Sequence, residues 1–509
     1  MNEKAWEKLR ERGREILLLV HIQSLLSWDE EVNLPARGAG ERADQNALLE
    51  GRKHDLISDP ALGELLQTLG AAEDLPVLRE AGAEPEVDYR NAYLRFFYRH
   101  WKKTTALPRD LAVDLARTAS LAHQEWIQAR RRKDFSLFVE PLTGVLALTR
   151  RKAEIFAPGQ ELYDGLLDEY EPGMNRAVLD RLFSPLKKEL TGLLQQIAAR
   201  PRPEEGFFYQ GDYSPAKQEA LSRRFLEKAG FPADRTLLSR AVHPATFSLG
   251  DDDVRITTRY NEPHPFNSFF STVHEAGHAF YSLGGLDEVR GNLLSGGSSL
   301  GLHESQSRTL ENLIGRSRSF WRWFYPEAQD VFEALKGVAP EDFYRAINKV
   351  EPGFIRTDAD EVSYSLHVIL RYELESALLS GELKPKDLEG EWNQKMKDYL
   401  GLTVPDPALG VLQDVHWSLG YIGYFPTYVL GNFYGAGFIK AAEKAMPDLW
   451  RRIEGEGVGF FTRWSRENIH AYGSALSSAE VIQKVTGAGL SPDYFIEYLK
   501  AKYGEIYRL

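Results

Sequence analysis

Apolar positions recur at helical spacing along most of this chain. In DRLFSPLKKELTGLLQQI, Leu182, Leu186, Leu190, Leu193 and Leu194 fall on one side, as expected for a helix with one face in a core. Similar spacing is found from the N-terminal MNEKAWEKLRERGREILLLVHIQ to the C-terminal DYFIEYLKAKYGEIYRL. Strand-like alternation is rare. Its clearest instance is residues 253–260, where Val254, Ile256, Thr258 and Tyr260 alternate with Asp253, Arg255, Thr257 and Arg259. That pattern predicts a strand with one wet face. HPATFSLG just before it is the expected hairpin partner, turning at Gly250, Asp251 and Asp252. No fixed-period repeat and no low-complexity tract is present. The expected fold class is mostly α with a small β-sheet.

At 509 residues the chain can bury a large core, and two lobes are the default expectation. The clearest break is RPRPEEGFFYQGDYSP, residues 200–215, rich in Pro and Gly between helical stretches. It divides the chain loosely into an N-terminal helical layer, 1–200, and a second lobe, 216–509. The N-terminal apolar run ILLLV is too short for a signal-peptide core or a membrane span. Residues 418–439 carry no charge, but their glycines, proline and tyrosines make a poor spanning helix. A buried segment lining a cavity is the better reading, and the expected location is cytoplasmic.

Composition narrows the chemistry. Apolar residues make up 43% and charged residues 27%, as in ordinary soluble proteins. The net charge of −12 argues against nucleic-acid and anionic-membrane partners. Cysteine is absent, which excludes disulfides, thiol nucleophiles and cysteine metal ligands. Any metal must be held by His, Asp or Glu.

One segment offers such a site. In TVHEAGHAFYSLG, residues 272–284, Phe269, Val273, Ala276 and Phe280 keep helical spacing, as do Phe270, Gly277 and Tyr281. On that helix His274 and His278 are four apart and share a face, so they can offer two imidazole nitrogens to one ion. Glu275 is rotated by roughly 100° from His274. It cannot comfortably bind the same ion, but it can reach a water there. This is the His-Glu-x-x-His arrangement of zinc hydrolases, with the glutamate as general base. The plain alternative is a pair of packed or solvated histidines. Gly277 argues against filler, because a glycine inside a helix costs about 1 kcal/mol relative to alanine and points to close packing.

A catalytic zinc needs a third protein ligand and an open position for water. In GSSLGLHESQSRTLENLIG, residues 297–315, a glycine-rich loop precedes a helix marked by Leu310, Leu313 and Ile314. His303 and Glu304 lie near its start, and chemistry leaves the choice between them open. Either can also be a helix-start residue that complements the helix dipole.

Taken together, these motifs resemble the carboxypeptidase Taq family of zinc metallocarboxypeptidases. The resemblance rests on DVRIT at 253–257, HEAGH at 274–278, HESQ at 303–306, IRTDAD at 355–360 and GVLQDVHW at 410–417, in that order. LSWDEEVNLP at 26–35 also resembles the family's N-terminal segment. HEAGH alone is shared by many peptidases, whereas five ordered motifs are highly specific. The resemblance makes Glu304 the third ligand and implies one Zn2+ per chain, with Co2+ or Mn2+ as substitutes. It implies a single, nearly all-helical domain over 1–509, a saddle-like two-lobed body with a deep groove, and a homodimer. Within it, 1–200 becomes a helical layer or lid and 216–509 the catalytic lobe. HPATF at 243–247 departs from the family's His-Pro-Phe. Many related zinc peptidases place an aspartate four residues after the ligand glutamate. Here that position is Arg308, and the residue steadying the ligand histidines is not evident.

The resemblance implies release of C-terminal amino acids from peptides, with broad specificity. Arg356 is then a candidate anchor for the substrate's free carboxylate, which suits a planar bidentate donor. The plain alternative is pairing with the acidic cluster Asp358, Asp360 and Glu361, at what reads as a helix start with Thr357. By likeness to other helical zinc peptidases, Tyr424 is the expected oxyanion donor, and Tyr421 and His416 bind substrate. Each tyrosine can also be a core aromatic. Gln413 and Asp414 read as braces of the loop, Trp28 and Asp29 as structural, and His367 and Arg371 as buried neighbours. Strand 253–260 can pair with an extended peptide. Two other functions fit parts of the pattern. One is a zinc oligopeptidase or endopeptidase, and the other a non-catalytic peptide-binding protein stabilised by its metal.

Overall fold

A computed structural model describes residues 2–79, 86–209, 211–261 and 264–509. Among them are twenty α-helices, and strands are confined to two small sheets. The mostly α reading from apolar periodicity therefore holds. The helix Arg176–Ala198 buries Leu182, Leu186, Leu190, Leu193 and Leu194, the stripe read from spacing.

The chain forms two compact units, each assembled from separate stretches. One comprises Met1–Thr105, Glu204–Ile347 and Tyr434–Gly489. The other comprises Ala106–Pro203, Asn348–Phe433 and Leu490–Leu509. One border, between Pro203 and Glu204, falls inside the Pro- and Gly-rich stretch 200–215, of which Gln210 lies outside the described residues.

In the first unit, the strands Thr236–Arg240, Asp253–Thr258 and Ala245–Gly250 form a sheet in that spatial order. The pairing of Ala245–Gly250 with Asp253–Thr258 is antiparallel, with Gly250 opposite Asp253, so the hairpin expected at that turn is present. Two features differ from the sequence reading. Thr236–Arg240 adds a parallel strand, which its sequence TLLSR does not signal by alternation. It also makes Asp253–Thr258 the central strand. Both of its edges are filled, so a substrate peptide has no edge there to pair with.

The helix Glu3–Val32 packs on this sheet. There the Arg255 guanidinium lies 4.3 Å from the Trp28 ring centroid and binds Asp253 through two nitrogens. Asp29 pairs with Arg42 at 2.6 Å. The structural reading of Trp28 and Asp29 agrees with these contacts. The helix Pro265–Leu283 runs through the unit's core. Phe269 packs against Phe225, Phe320, Trp321 and Phe324, and each buried aromatic of this kind contributes about 2 kcal/mol.

In the second unit the central element is the helix Tyr364–Ser380. It is buried nearly all round, with Leu366, Val368, Ile369, Leu370, Leu374 and Leu378 in the core. A helix buried on every side can carry ionisable groups only where partners meet them. His367, Arg371 and Glu375 are such groups, all fully buried.

Candidate active site

The helix Pro265–Leu283 begins with Pro265 in its first turn, where the missing N–H costs nothing. His274 and His278 then fall on one face, with ring centroids 5.0 Å apart. The facing helix, Leu300–Arg308, is started by Ser299, whose hydroxyl accepts from the Leu302 N–H at 2.9 Å. Gly277 lets the two helices touch. A Cβ there would sit 2.5 Å from the Gln306 carbonyl oxygen and 2.6 Å from Ser307 Cα. The close packing suggested by a glycine in mid-helix is therefore backbone against backbone.

This approach brings Glu304 between the histidines. Its Oε2 lies 3.5 Å from His274 Nε2 and 3.4 Å from His278 Nε2. The three ligand atoms lie within 4.8 Å of one another, a spacing one small cation can span. Of the two candidates left open by chemistry, Glu304 converges with the pair. His303 turns elsewhere, with its Nδ1 2.5 Å from His278 Nδ1. Burial, reinforced by the His278 ring, lowers the His303 pKa well below the usual imidazole range. His303 is therefore neutral and helps orient His278. Two imidazole nitrogens and one carboxylate, with no thiolate in the chain, are a donor set suited to zinc.

A layer of charged groups fixes these donors. His274 Nδ1 meets Glu311 Oε2 at 2.8 Å. Arg308 Nε donates to Glu304 Oε1 at 2.7 Å, and the Ser307 hydroxyl donates to Glu304 Oε2 at 3.2 Å. Burial opposes charging His274, but Glu304 and Glu311 outweigh it and raise the imidazole to about 10. Burial likewise opposes ionising Glu311, yet His274, Arg308 and Arg316 hold it at about 2. The surroundings of His274 thus favour positive charge, as at a cation site. Arg308 occupies the place where related peptidases have an aspartate. Here it donates to Glu304, and Glu311 steadies His274.

Glu275 is only 6% exposed. Its Oε2 accepts from the Thr246 hydroxyl at 2.6 Å, and its backbone oxygen lies 3.0 Å from the same hydroxyl. The strand Ala245–Gly250 thereby fixes the carboxylate beside the ligand pair. Thr246 is a site residue that sequence reasoning missed, since HPATF registered only as a departure. Glu311 was also missed. It lies beyond the helix Leu300–Arg308, in the π-helical turn Thr309–Ile314, so α-helical spacing from Glu304 does not place it.

The other candidates belong to the second unit, where they form a group of their own. Arg356 is 5% exposed and lies in a short 3-10 turn, Arg356–Asp358. Its Nε and NH2 reach Asp414 Oδ1 at 3.2 and 2.9 Å, and NH1 reaches the Tyr364 hydroxyl at 3.2 Å. The pairing of Arg356 with Asp358, Asp360 and Glu361 is therefore not what forms. Asp360 instead accepts from the Val362 and Ser363 N–H groups and leads into the helix Tyr364–Ser380. Thr357 and Asp358 precede that helix rather than start it. Asp414 also takes Arg371 at 2.6 Å, and the Gln413 side-chain oxygen accepts from the Arg356 N–H at 2.9 Å. Both do brace the loop. Arg371 NH1 donates to the His367 carbonyl at 2.6 Å, which makes these two the buried neighbours expected.

His416 packs on Phe425 and Tyr424, with centroids at 4.4 and 5.4 Å. Burial lowers its pKa to about 4 despite Asp414 nearby, so the ring is neutral near pH 7. Tyr421 is 45% exposed and stacks on Tyr424 at 6.2 Å. Arg356, His416, Tyr421 and Tyr424 are thus joined through Asp414 and the aromatic stack.

Comparison with known proteins gives a consistent result. The sequence model of the family described as carboxypeptidase Taq (M32) metallopeptidase matches residues 8–503. A curated relative, thermostable carboxypeptidase 1 of Thermus thermophilus, is 40% identical over 99% of both chains. Its namesake from Pyrococcus furiosus is 36% identical over 96% of both. The crystal structure of an M32 carboxypeptidase from Deinococcus radiodurans superposes with a TM-score of 0.94 at 35% identity. It covers 99% of this chain and 100% of that one.

Proposed function

Since this chain belongs to the carboxypeptidase Taq (M32) family of metallopeptidases and is a metallocarboxypeptidase, we propose that its divalent metal is zinc, held by His274, His278 and Glu304. The observation that carries this reading is the convergence of His274 Nε2, His278 Nε2 and Glu304 Oε2 beside the buried Glu275. A zinc ion held by these residues would supply Lewis acidity for a peptide carbonyl and would lower the pKa of water toward neutrality. Glu275 takes the proton from the attacking water and delivers it to the leaving amine. Thr246, donating to Glu275 Oε2, keeps the carboxylate in one orientation through both transfers. His303 and Glu311, on the Nδ1 sides of His278 and His274, keep the Nε2 atoms turned toward Glu304 Oε2, where they would hold the ion.

Tyr424 donates to the oxyanion of the tetrahedral intermediate, and His416 and Tyr421 bind the peptide. A neutral His416 suits hydrogen bonding without adding charge. Arg356 anchors the terminal carboxylate. Two buried guanidiniums, Arg356 and Arg371, share the single carboxylate of Asp414. Their surplus positive charge supports binding of an anionic chain end. The oligopeptidase reading and the non-catalytic one draw no support from the family or the relatives.

Among the described residues no helix is long and apolar enough to cross a membrane. We further propose a cytoplasmic homodimer, for which light scattering of the purified protein is the check.

A chelator tests the metal assignment. Treatment at neutral pH should abolish release of C-terminal residues while far-UV circular dichroism stays helical, and Zn2+ should restore activity. Full activity after verified removal of all metal would overturn it.

A further inference from the structure

Glu375 is a fully buried acid that the proposed chemistry does not use. It projects from the helix Tyr364–Ser380. Its Oε1 accepts from Trp417 Nε1 at 2.8 Å. Its Oε2 accepts from the Tyr163 hydroxyl at 2.9 Å and from the Gly423 N–H at 3.1 Å. Trp417 directly follows His416, and Gly423 directly precedes Tyr424. One carboxylate therefore grips the loop next to both residues.

The loop has little freedom to adopt another path. Gly420 and Gly423 take φ of 74° and 90°, a region that disfavours side chains. A Cβ on Gly423 would lie 3.0 Å from the Leu167 backbone nitrogen. Among the described residues His416 Nδ1 has no hydrogen-bond partner, and its nearest carboxylate oxygen, on Asp414, is 3.9 Å away. The ring is placed by packing on Phe425 and Tyr424, hence by the path of the loop. Burying a carboxylate is costly unless donors meet it. Here three donors do, and two of them belong to the loop.

We infer that Glu375 is a positioning residue, whose grip on Trp417 and Gly423 sets His416 and Tyr424 in their working geometry. The inference rests on the roles proposed above for those two side chains. A misplaced donor weakens transition-state stabilisation more than substrate binding, so the effect should fall on kcat.

The test measures kcat, KM and metal content for Glu375→Gln, Trp417→Phe, Tyr424→Phe, His416→Ala and the double variant Glu375→Gln/Tyr424→Phe. Glu375→Gln should lower kcat by about 10-fold to 100-fold, with KM within about 3-fold and metal retained. Trp417→Phe, which removes one donor, should act in the same direction and decides the matter if Glu375→Gln does not fold. The double variant should be no more than about 3-fold slower than Tyr424→Phe alone, because both act through one group. Unchanged kcat in Glu375→Gln or in Trp417→Phe would overturn the inference. So would a full multiplicative loss in the double variant, the signature of a general structural role. Failure of the underlying reading would show separately, as normal turnover in both Tyr424→Phe and His416→Ala, and would overturn the positioning role with it.

Discussion

His274 Nδ1 and Glu311 Oε2 are 2.8 Å apart, while His274 Nε2 faces Glu304. This contact fixes which nitrogen the imidazole offers to a metal. Glu311→Gln should therefore leave the fold intact and weaken zinc binding by about 10-fold to 100-fold. Competition with a chromophoric chelator measures it, and affinity equal to the parent protein would show that Glu311 does not orient the ligand.

Gly277 is where the helices carrying His274, His278 and Glu304 meet. The methyl of Gly277→Ala would be 2.5 Å from a carbonyl oxygen that cannot move without its helix. The variant should lose about 1–3 kcal/mol of stability by overpacking and bind zinc more weakly, since Glu304 is pushed from the histidines. Urea unfolding and metal analysis read the two effects. Stability and zinc content like those of the parent would mean the helices can separate freely.

Arg356 gives the substrate prediction. A short peptide with a free C-terminus should lose residues one by one, and its C-terminal amide should resist. Arg356→Lys keeps the charge against Asp414 but not the planar fork, and should narrow that difference by about 10-fold or more. An undiminished preference for the free acid in this variant would place the carboxylate anchor elsewhere.

Glu375 gives the pH dependence. Burial pushes its carboxyl up to about 7, against the hydrogen bonds from Trp417, Gly423 and Tyr163. A carboxyl raised in the folded state stabilises fully below its ordinary value, and that stabilisation is lost as pH rises through about 7. The full effect is on the order of 3 kcal/mol. Unfolding free energies between pH 5 and 7, compared for the parent and Glu375→Gln, should fall more steeply with pH in the parent. Equal slopes would rule out a contribution from titration of Glu375.

Helical periodicity, the hairpin at Gly250 and the pair His274 and His278 were all legible in the sequence, because each depends on local spacing. What was not legible depends on meetings between distant segments. Thr246 reaches Glu275 from 29 residues away, and Asp414 reaches Arg356 from 58, and nothing near Arg356 signals that its partner is Asp414 rather than Asp358 or Asp360. The strand Thr236–Arg240 was missed because TLLSR, with Leu237 and Leu238 adjacent, does not alternate apolar and polar positions. As a result, Asp253–Thr258 was given a free edge that it does not have.

Arg308 marks another limit of reading by pattern. Its position suggested a missing partner for a ligand histidine. Glu311 meets His274 instead, and Arg308 donates to Glu304.

In the proposed mechanism Glu275 moves the proton at a metal site built by His274, His278 and Glu304. Glu275→Gln tests it most directly, since the amide keeps the size of the side chain but cannot act as a base. Zinc content should remain one per chain, and kcat for release of a C-terminal residue should fall by about 1,000-fold or more. Turnover within about 10-fold of the parent protein, with zinc fully bound, would contradict the claim.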